Sequence, residues 1–338
     1  MTPRDSVLAQ IRHETSDRVP FTLYFEECVG ERIDQYYGSS EWRDTLVPYI
    51  VSCGGIDRRR SDPVSETHDR DLFGSLWRTD LRPFHLEEPA LKTPSLEGYD
   101  FPDAEAFANP ELRLSAERTR EKHPDSFTVI GMGWGLWETY WGMRGFEEAM
   151  MDCVAEPEFF AQVLDRLTDL YLAQIAQCED VDADAIMFGD DWGEQRGVML
   201  GPERWREFMK PRYAKIYEAA HAQGKFTISH CCGSVADIMP DIIEIGLDVL
   251  ESVQPEATGM NPYELKARWG DEITFWGCLG SQSTIPFGTP AAIQEEVRHL
   301  KREMGAGGGY ILAAAKALQP ETPTENAVAV YEAFIEND

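Results

Sequence analysis

The sequence predicts an α/β protein on a mainly parallel sheet, whose eight strands form a (β/α)8 barrel with a hairpin insertion. Three observations carry that expectation. Apolar runs alternate with amphipathic stretches, the pattern of strands buried between helices. Eight such runs can be placed along the chain. The length, 338 residues, suits one barrel of this kind, so the whole chain, residues 1–338, is expected to be a single barrel domain.

The candidate strands are VPFTLYF at 19–25, GGIDRRRSD at 54–62, SFTVIGMG at 126–133 and ADAIMFGDD at 183–191. After these come KFTISHCCG at 225–233, LDVLESVQ at 247–254, EITFWGCLG at 272–280 and GGYILAAAK at 308–316. The second is the weakest, because its apolar content is low. Residues 157–178 carry apolar side chains at three- and four-residue spacing, the period of a helix with one buried face. Thr289 followed by Pro290 reads as a helix start, an N-cap with proline in the first helical position. DLFGSLWRTD at 71–80 and FHLEEPALK at 84–92 read as a hairpin joined by a proline turn, covering one side of the barrel.

Composition narrows the function. Sixty acidic against 31 basic residues give a formal charge of −29, which repels nucleic acid and anionic lipid alike. No apolar run reaches the roughly 18 to 20 residues of a membrane helix, and MTPRDSVLAQIRHE has no signal-peptide core. Seven irregularly spaced cysteines fit reduced thiols better than a disulfide framework. The expected location is the cytoplasm.

Four segments sit where parallel strands end, the place where barrel enzymes build their sites. In Phe188-Gly189-Asp190-Asp191-Trp192-Gly193-Glu194-Gln195, adjacent carboxylates point in different directions, so only one need face the mouth. Such a pair equally caps a helix or forms an Asx turn. In Ser229-His230-Cys231-Cys232-Gly233, alternation puts His230 and Cys232 on one side and Cys231 on the other. Imidazole and thiolate at that spacing suit zinc; a buried cysteine beside a hydrogen-bonded histidine gives the same spacing. Cys278 lies near the end of a later strand, as a third sulfur ligand or as core. Lys316, among small residues after the last strand, is either a solvated charge or an ammonium aimed at an anionic group.

Together these segments resemble the uroporphyrinogen decarboxylase superfamily, and within it the cobamide-dependent methyltransferase branch. The resemblance runs from about residue 3 to 335 and is most specific at Asp190 to Gly193 with Gln195, Pro202 to Tyr213, His230 to Gly233, QPEATGM at 254–260, GCLGSQSTIPFGTP at 277–290 and GGGYIL at 307–312. It implies a barrel for nearly the whole chain. The arginine-rich N-terminal segment of the porphyrin decarboxylases is replaced here by DRVPFTLYFEECVGE, with Glu26 and Glu27. Acids there suit a tetrapyrrole's carboxylates poorly.

By the same resemblance His230 and Cys232 are zinc ligands, and the family's third ligand position falls on Lys316, which cannot coordinate a metal while protonated. Either Cys278 substitutes or the metal is altered or lost. The implied activity is a methyltransferase moving a methyl group between a small methylated substrate or thiol and a corrinoid held on a partner protein. Asp190 and Asp191 would then position substrate or manage its proton, Gln195 would orient one carboxylate, Glu251 would serve as a general acid, and Lys316 would stabilise an anion. The alternatives are a uroporphyrinogen-type decarboxylase and a non-catalytic corrinoid-binding protein.

Overall fold

The computed structural model describes residues 1–56 and 61–336. Eight parallel strands form one curled sheet: β1 (Phe21–Thr22), β2 (Ile50–Gly55), β3 (Phe127–Gly131), β4 (Ala185–Gly189), β5 (Phe226–His230), β6 (Val249–Val253), β7 (Thr274–Leu279) and β8 (Tyr310–Ala314). Their order across the sheet is β1-β8-β7-β6-β5-β4-β3-β2, each parallel to its neighbours. That is the strand order of a (β/α)8 barrel. No ladder joins β1 to β2 among the described residues. The gap is filled by side chains instead, with the Phe21 and Tyr49 rings 5.3 Å apart and Phe334 against Phe21 at 5.6 Å.

Strand β7 is buried along its whole length, as expected where helices cover one face and the barrel interior the other. The helix Pro290–Met304 shows how the outer layer is specified. Thr289 caps it, accepting from the Ala292 amide at 3.2 Å, and Ile293, Val297, Leu300 and Met304 form its buried stripe.

Seven strands lie inside or nearly inside their expected windows. The second differs. β2 is Ile50–Gly55, upstream of the expected 54–62, because the apolar residues Ile50, Val51 and Cys53 fit a buried strand better than the charged stretch after them. Residues 57–60 of that window lie outside the described residues. Ser61–Pro63 instead starts an antiparallel arm of four strands with His68–Asp71, Leu76–Arg78 and His85–Glu88. The expected hairpin is the second half of this arm.

At the N-terminal end of the barrel, the helix Pro3–Ile11 is pinned by Arg4. Its guanidinium donates to Asp184, just before β4, at 2.7 and 2.9 Å. Asp184 also accepts from the Thr128 amide at 2.8 Å and pairs with Arg120 at 3.4 Å.

Candidate metal centre

The register places the site. Gly189 of β4 lies beside His230 of β5, and His230 lies beside Glu251 of β6. The strands are parallel, so three residues at the same height look into one mouth, at the C-terminal end. Beyond the strands, two loops come together backbone to backbone. A Cβ on Gly193 would stand 2.3 Å from the Ser234 carbonyl, and one on Gly233 would stand 2.1 Å from the Gly193 carbonyl. Only glycine permits that approach, and it carries Asp191 to the side of Cys232.

The result is a cluster of three donors. One ligand atom each from Asp191, His230 and Cys232 lies within 4.8 Å of the other two, and all three residues are half-buried. Asp191 Oδ1 accepts from the Cys232 amide at 3.2 Å and stands 3.8 Å from His230 Nε2. The other ring nitrogen, Nδ1, is held by the Glu251 carboxylate. Burial opposes a charge on His230, but Glu251, Cys232 and Asp191 outweigh it and hold its pKa well above the usual imidazole value.

Carboxylate, imidazole and thiolate are the donors zinc prefers, and a carboxylate behind the ligating histidine is the usual second partner that fixes its ring. The set therefore fits a zinc ion, with Asp191, His230 and Cys232 to hold it.

The other candidate residues fall elsewhere. Asp190 is fully buried and its oxygens are taken up by four donors: the Trp137 amide at 3.1 Å, the Glu138 amide at 2.9 Å, Trp192 Nε1 at 2.9 Å and Tyr213 Oη at 2.6 Å. It caps the helix Leu136–Arg144, which corrects its expected place among the mouth carboxylates. Cys278 is buried away from the cluster. Gly277 and Cys278 both have positive φ, 125° and 75°, which breaks the alternation that would aim Cys278 inward. The charge it faces is Glu296 on the outer helix, and burial raises its pKa strongly. The third donor that the fold brings to His230 and Cys232 is Asp191.

Gln195 lies exposed at the tip of a short hairpin, and its side chain has no hydrogen-bond partner among the described residues, so it orients no carboxylate. Lys316 follows β8, exposed and without an ion pair among the described residues. Cys231 points away from Cys232, its sulfur accepting from the Gly193 amide at 3.4 Å in full burial.

One residue escaped sequence reading. Glu138, in the first turn after β3, lies close to the Gly189 backbone. Burial, then Asp190 and Asp191, push its carboxyl well above the ordinary range. Its signal was present in the glycine-rich strand end GMGWGLWE, of the same kind as the segments that were singled out.

The family model described as uroporphyrinogen decarboxylase (URO-D) matches residues 79–336. Uroporphyrinogen decarboxylase of Anaeromyxobacter sp. (strain Fw109-5) is 28% identical over 193 residues, 57% of this chain and 52% of that protein. The methylcobamide:CoM methyltransferase MtaA of Methanosarcina barkeri is 24% identical over 220 residues, 64% of this chain and 60% of that protein. The chain thus spans little more than half the length of these curated relatives. A solved methyltransferase from Methanosarcina mazei superposes with a TM-score of 0.69 at 20% identity, covering 99% of this chain and 98% of that one. At that identity the likeness shows the fold.

Proposed function

The chain belongs to the uroporphyrinogen decarboxylase family, and within it we propose that it is a corrinoid-linked methyltransferase. It would move a methyl group between a small methylated substrate or thiol and a cobamide carried on a partner protein. The observation that carries this reading is the convergence of Asp191, His230 and Cys232 at the C-terminal end of the strands, with Glu251 behind His230. A relative of comparable similarity is itself a methylcobamide:CoM methyltransferase.

Zinc bound there would hold a thiol, lower its pKa and keep it as the nucleophilic thiolate. The chain's own residues prepare the place. Glu251 fixes the His230 ring so that Nε2 faces Asp191 and Cys232. The Cys232 amide holds Asp191 at the mouth. Asp190 anchors the first turn of the Leu136–Arg144 helix and so sets Glu138 beside the strand end. Glu138 keeps its proton more readily than an ordinary glutamate, which limits the negative charge facing an incoming thiolate. Lys316 remains the cation available at the end of β8 for an anionic substrate group.

The test is a transfer assay with methylcobalamin and 2-mercaptoethanesulfonate, following loss of the methylcobalamin absorbance and formation of the methyl thioether by mass spectrometry. Thioether formation that depends on added zinc supports the proposal. No transfer to any small thiol, together with loss of carboxylates from uroporphyrinogen, would replace it with the decarboxylase reading.

A further inference from the structure

Between the antiparallel arm and the Leu136–Arg144 helix lies a cavity of about 550 Å³, and none of the three cluster residues lines it. Its walls are aromatic. Trp77 of the arm packs at 5.6 Å from Trp134 and 6.0 Å from Trp141, which are themselves 4.8 Å apart. Gly142 makes the packing possible, since a Cβ there would meet the Trp134 ring at 3.0 Å and the Trp77 ring at 3.4 Å.

The polar groups are few and specific. Trp77 Nε1 donates to Asp71 at 2.7 Å, which fixes the ring, and Asp71 also accepts from the Ser75 amide at 2.9 Å. Burial lifts the Asp71 carboxyl above the ordinary range, and no cation pairs with it among the described residues. Thr139 lines the cavity at 3% exposure, and its hydroxyl has no partner among the described residues. A buried hydroxyl without a partner is costly to the fold, and a ligand that satisfies it recovers that cost. The one cationic liner among the described residues, Arg82, is exposed and lies over the Phe84 ring at 5.7 Å.

We propose that this cavity binds a methylated ammonium cation that keeps at least one N–H. The N–H donates to Thr139 Oγ1, the methyl groups rest on the Trp77 and Trp141 rings, and Asp71 offsets the charge. Methyl groups on a cationic nitrogen carry part of its charge and are drawn to the negative face of an indole. They also weaken hydration, so such an ion enters an aromatic cavity at lower cost than a bare ammonium. A neutral molecule of the same shape gains only the apolar contact, and an aromatic anion is repelled by Asp71. The inference goes beyond methyl transfer and stands independently of it.

Titrating the full chain by calorimetry with trimethylammonium, tetramethylammonium, tert-butanol and benzoate tests this. Trimethylammonium should bind about tenfold more tightly than tert-butanol and more tightly than benzoate. Its advantage over tetramethylammonium, which has no N–H, should disappear in Thr139→Val. Trp141→Leu should weaken trimethylammonium about fivefold or more, and Trp141→Phe should restore most of the loss. Circular dichroism melts check that each variant is folded. Cys232→Ala should leave binding unchanged, which separates this cavity from the metal centre. Equal binding of tert-butanol, preferred binding of benzoate, an unchanged preference in Thr139→Val, or loss of binding in Cys232→Ala would each overturn the proposal.

Discussion

At the N-terminal end of the barrel Asp184 meets Arg4 at 2.7 Å and Arg120 at 3.4 Å. At the C-terminal end Asp191 and Glu251 converge on one histidine, with Asp191 3.8 Å from it and no arginine or lysine paired to either carboxylate among the described residues. The two ends use the same kinds of side chain under opposite conditions. Below, Asp184 has two arginines and the Thr128 amide to settle its charge, and the network ties a helix to the sheet. Above, Asp191 and Glu251 share one imidazole, and negative charge is left over. Uncompensated charge beside a half-buried thiol is costly to a fold and useful to a metal site. The same contrast separates neighbours: Asp190 has four donors, while Asp191 has the Cys232 amide and a place in the cluster.

The largest expected effect breaks the upper end. Cys232→Ala should reduce methyl transfer by about 100-fold or more, because thiolate ligation supplies much of the affinity at such a site. Its thermal midpoint without metal should stay near that of the parent. Cys231→Ala, on the other face of the loop, should keep transfer within a fewfold of the parent. The reverse pattern would mean that the loop presents Cys231 to the mouth.

The complementary change breaks the lower end. Asp184→Ala should cost about 2 to 3 kcal/mol in urea denaturation, since it removes charge-assisted hydrogen bonds and takes from Arg4 its carboxylate partner, while Arg120 keeps Asp182 at 3.3 Å. Metal content of the folded protein should not change. The same carboxylate predicts a pH dependence. Burial tends to raise its pKa, but the Arg4 hydrogen bond and the Thr128 amide outweigh burial and hold it below the usual value. A depressed folded pKa contributes stability above the unfolded value, near 4, and loses it as pH falls through the folded value. Between pH 5 and pH 3 the parent should therefore lose more stability than Asp184→Ala. Parallel acid curves would show that the network does not hold the charge.

Glu251→Gln sharpens the comparison without removing a ligand. An amide can still accept from Nδ1–H but orients the imidazole less strongly, so metal affinity should fall by about 10- to 100-fold in a chelator competition assay. Unchanged affinity would show that His230 needs no support from β6. The smallest effects belong to the exposed residues. Gln195→Ala and Lys316→Ala should each change stability by less than about 0.5 kcal/mol. Any loss with Lys316→Ala should appear in the KM of an anionic substrate and not in metal content.

The barrel was legible because its strands are short apolar runs, several of which end at a glycine or polar residue: Gly189-Asp190, His230 and the glycine after Leu279. Periodicity reports such features locally. The division of labour between Asp190 and Asp191 was not legible. It depends on amides at Trp137 and Glu138 and on Tyr213, all more than twenty residues away in sequence. Cys278 stood open between third ligand and core, and the choice was not legible for a related reason: two consecutive positive φ angles at Gly277 and Cys278 interrupt the regular backbone that a strand reading assumes. Glu138 was missed because its strand end continues into a helix, where the sequence reads as core: Leu136 and Trp137 around it are buried. The four-stranded arm was half visible, because Ser61–Pro63 and His68–Asp71 are polar and too short for a strand pattern to register.

The upper end of the barrel depends most on the proposal that Asp191, and not Cys278, is the third zinc ligand. The direct measurement is zinc affinity, by competition with a chromophoric chelator, for the parent, Asp191→Ala and Cys278→Ala. The parent should bind about one zinc per chain, as three converging donors imply. Asp191→Ala should weaken that binding by about 100-fold, and Cys278→Ala should leave it unchanged. A parent that binds no zinc, or a Cys278→Ala variant that loses it while Asp191→Ala retains it, would contradict the metal centre described here.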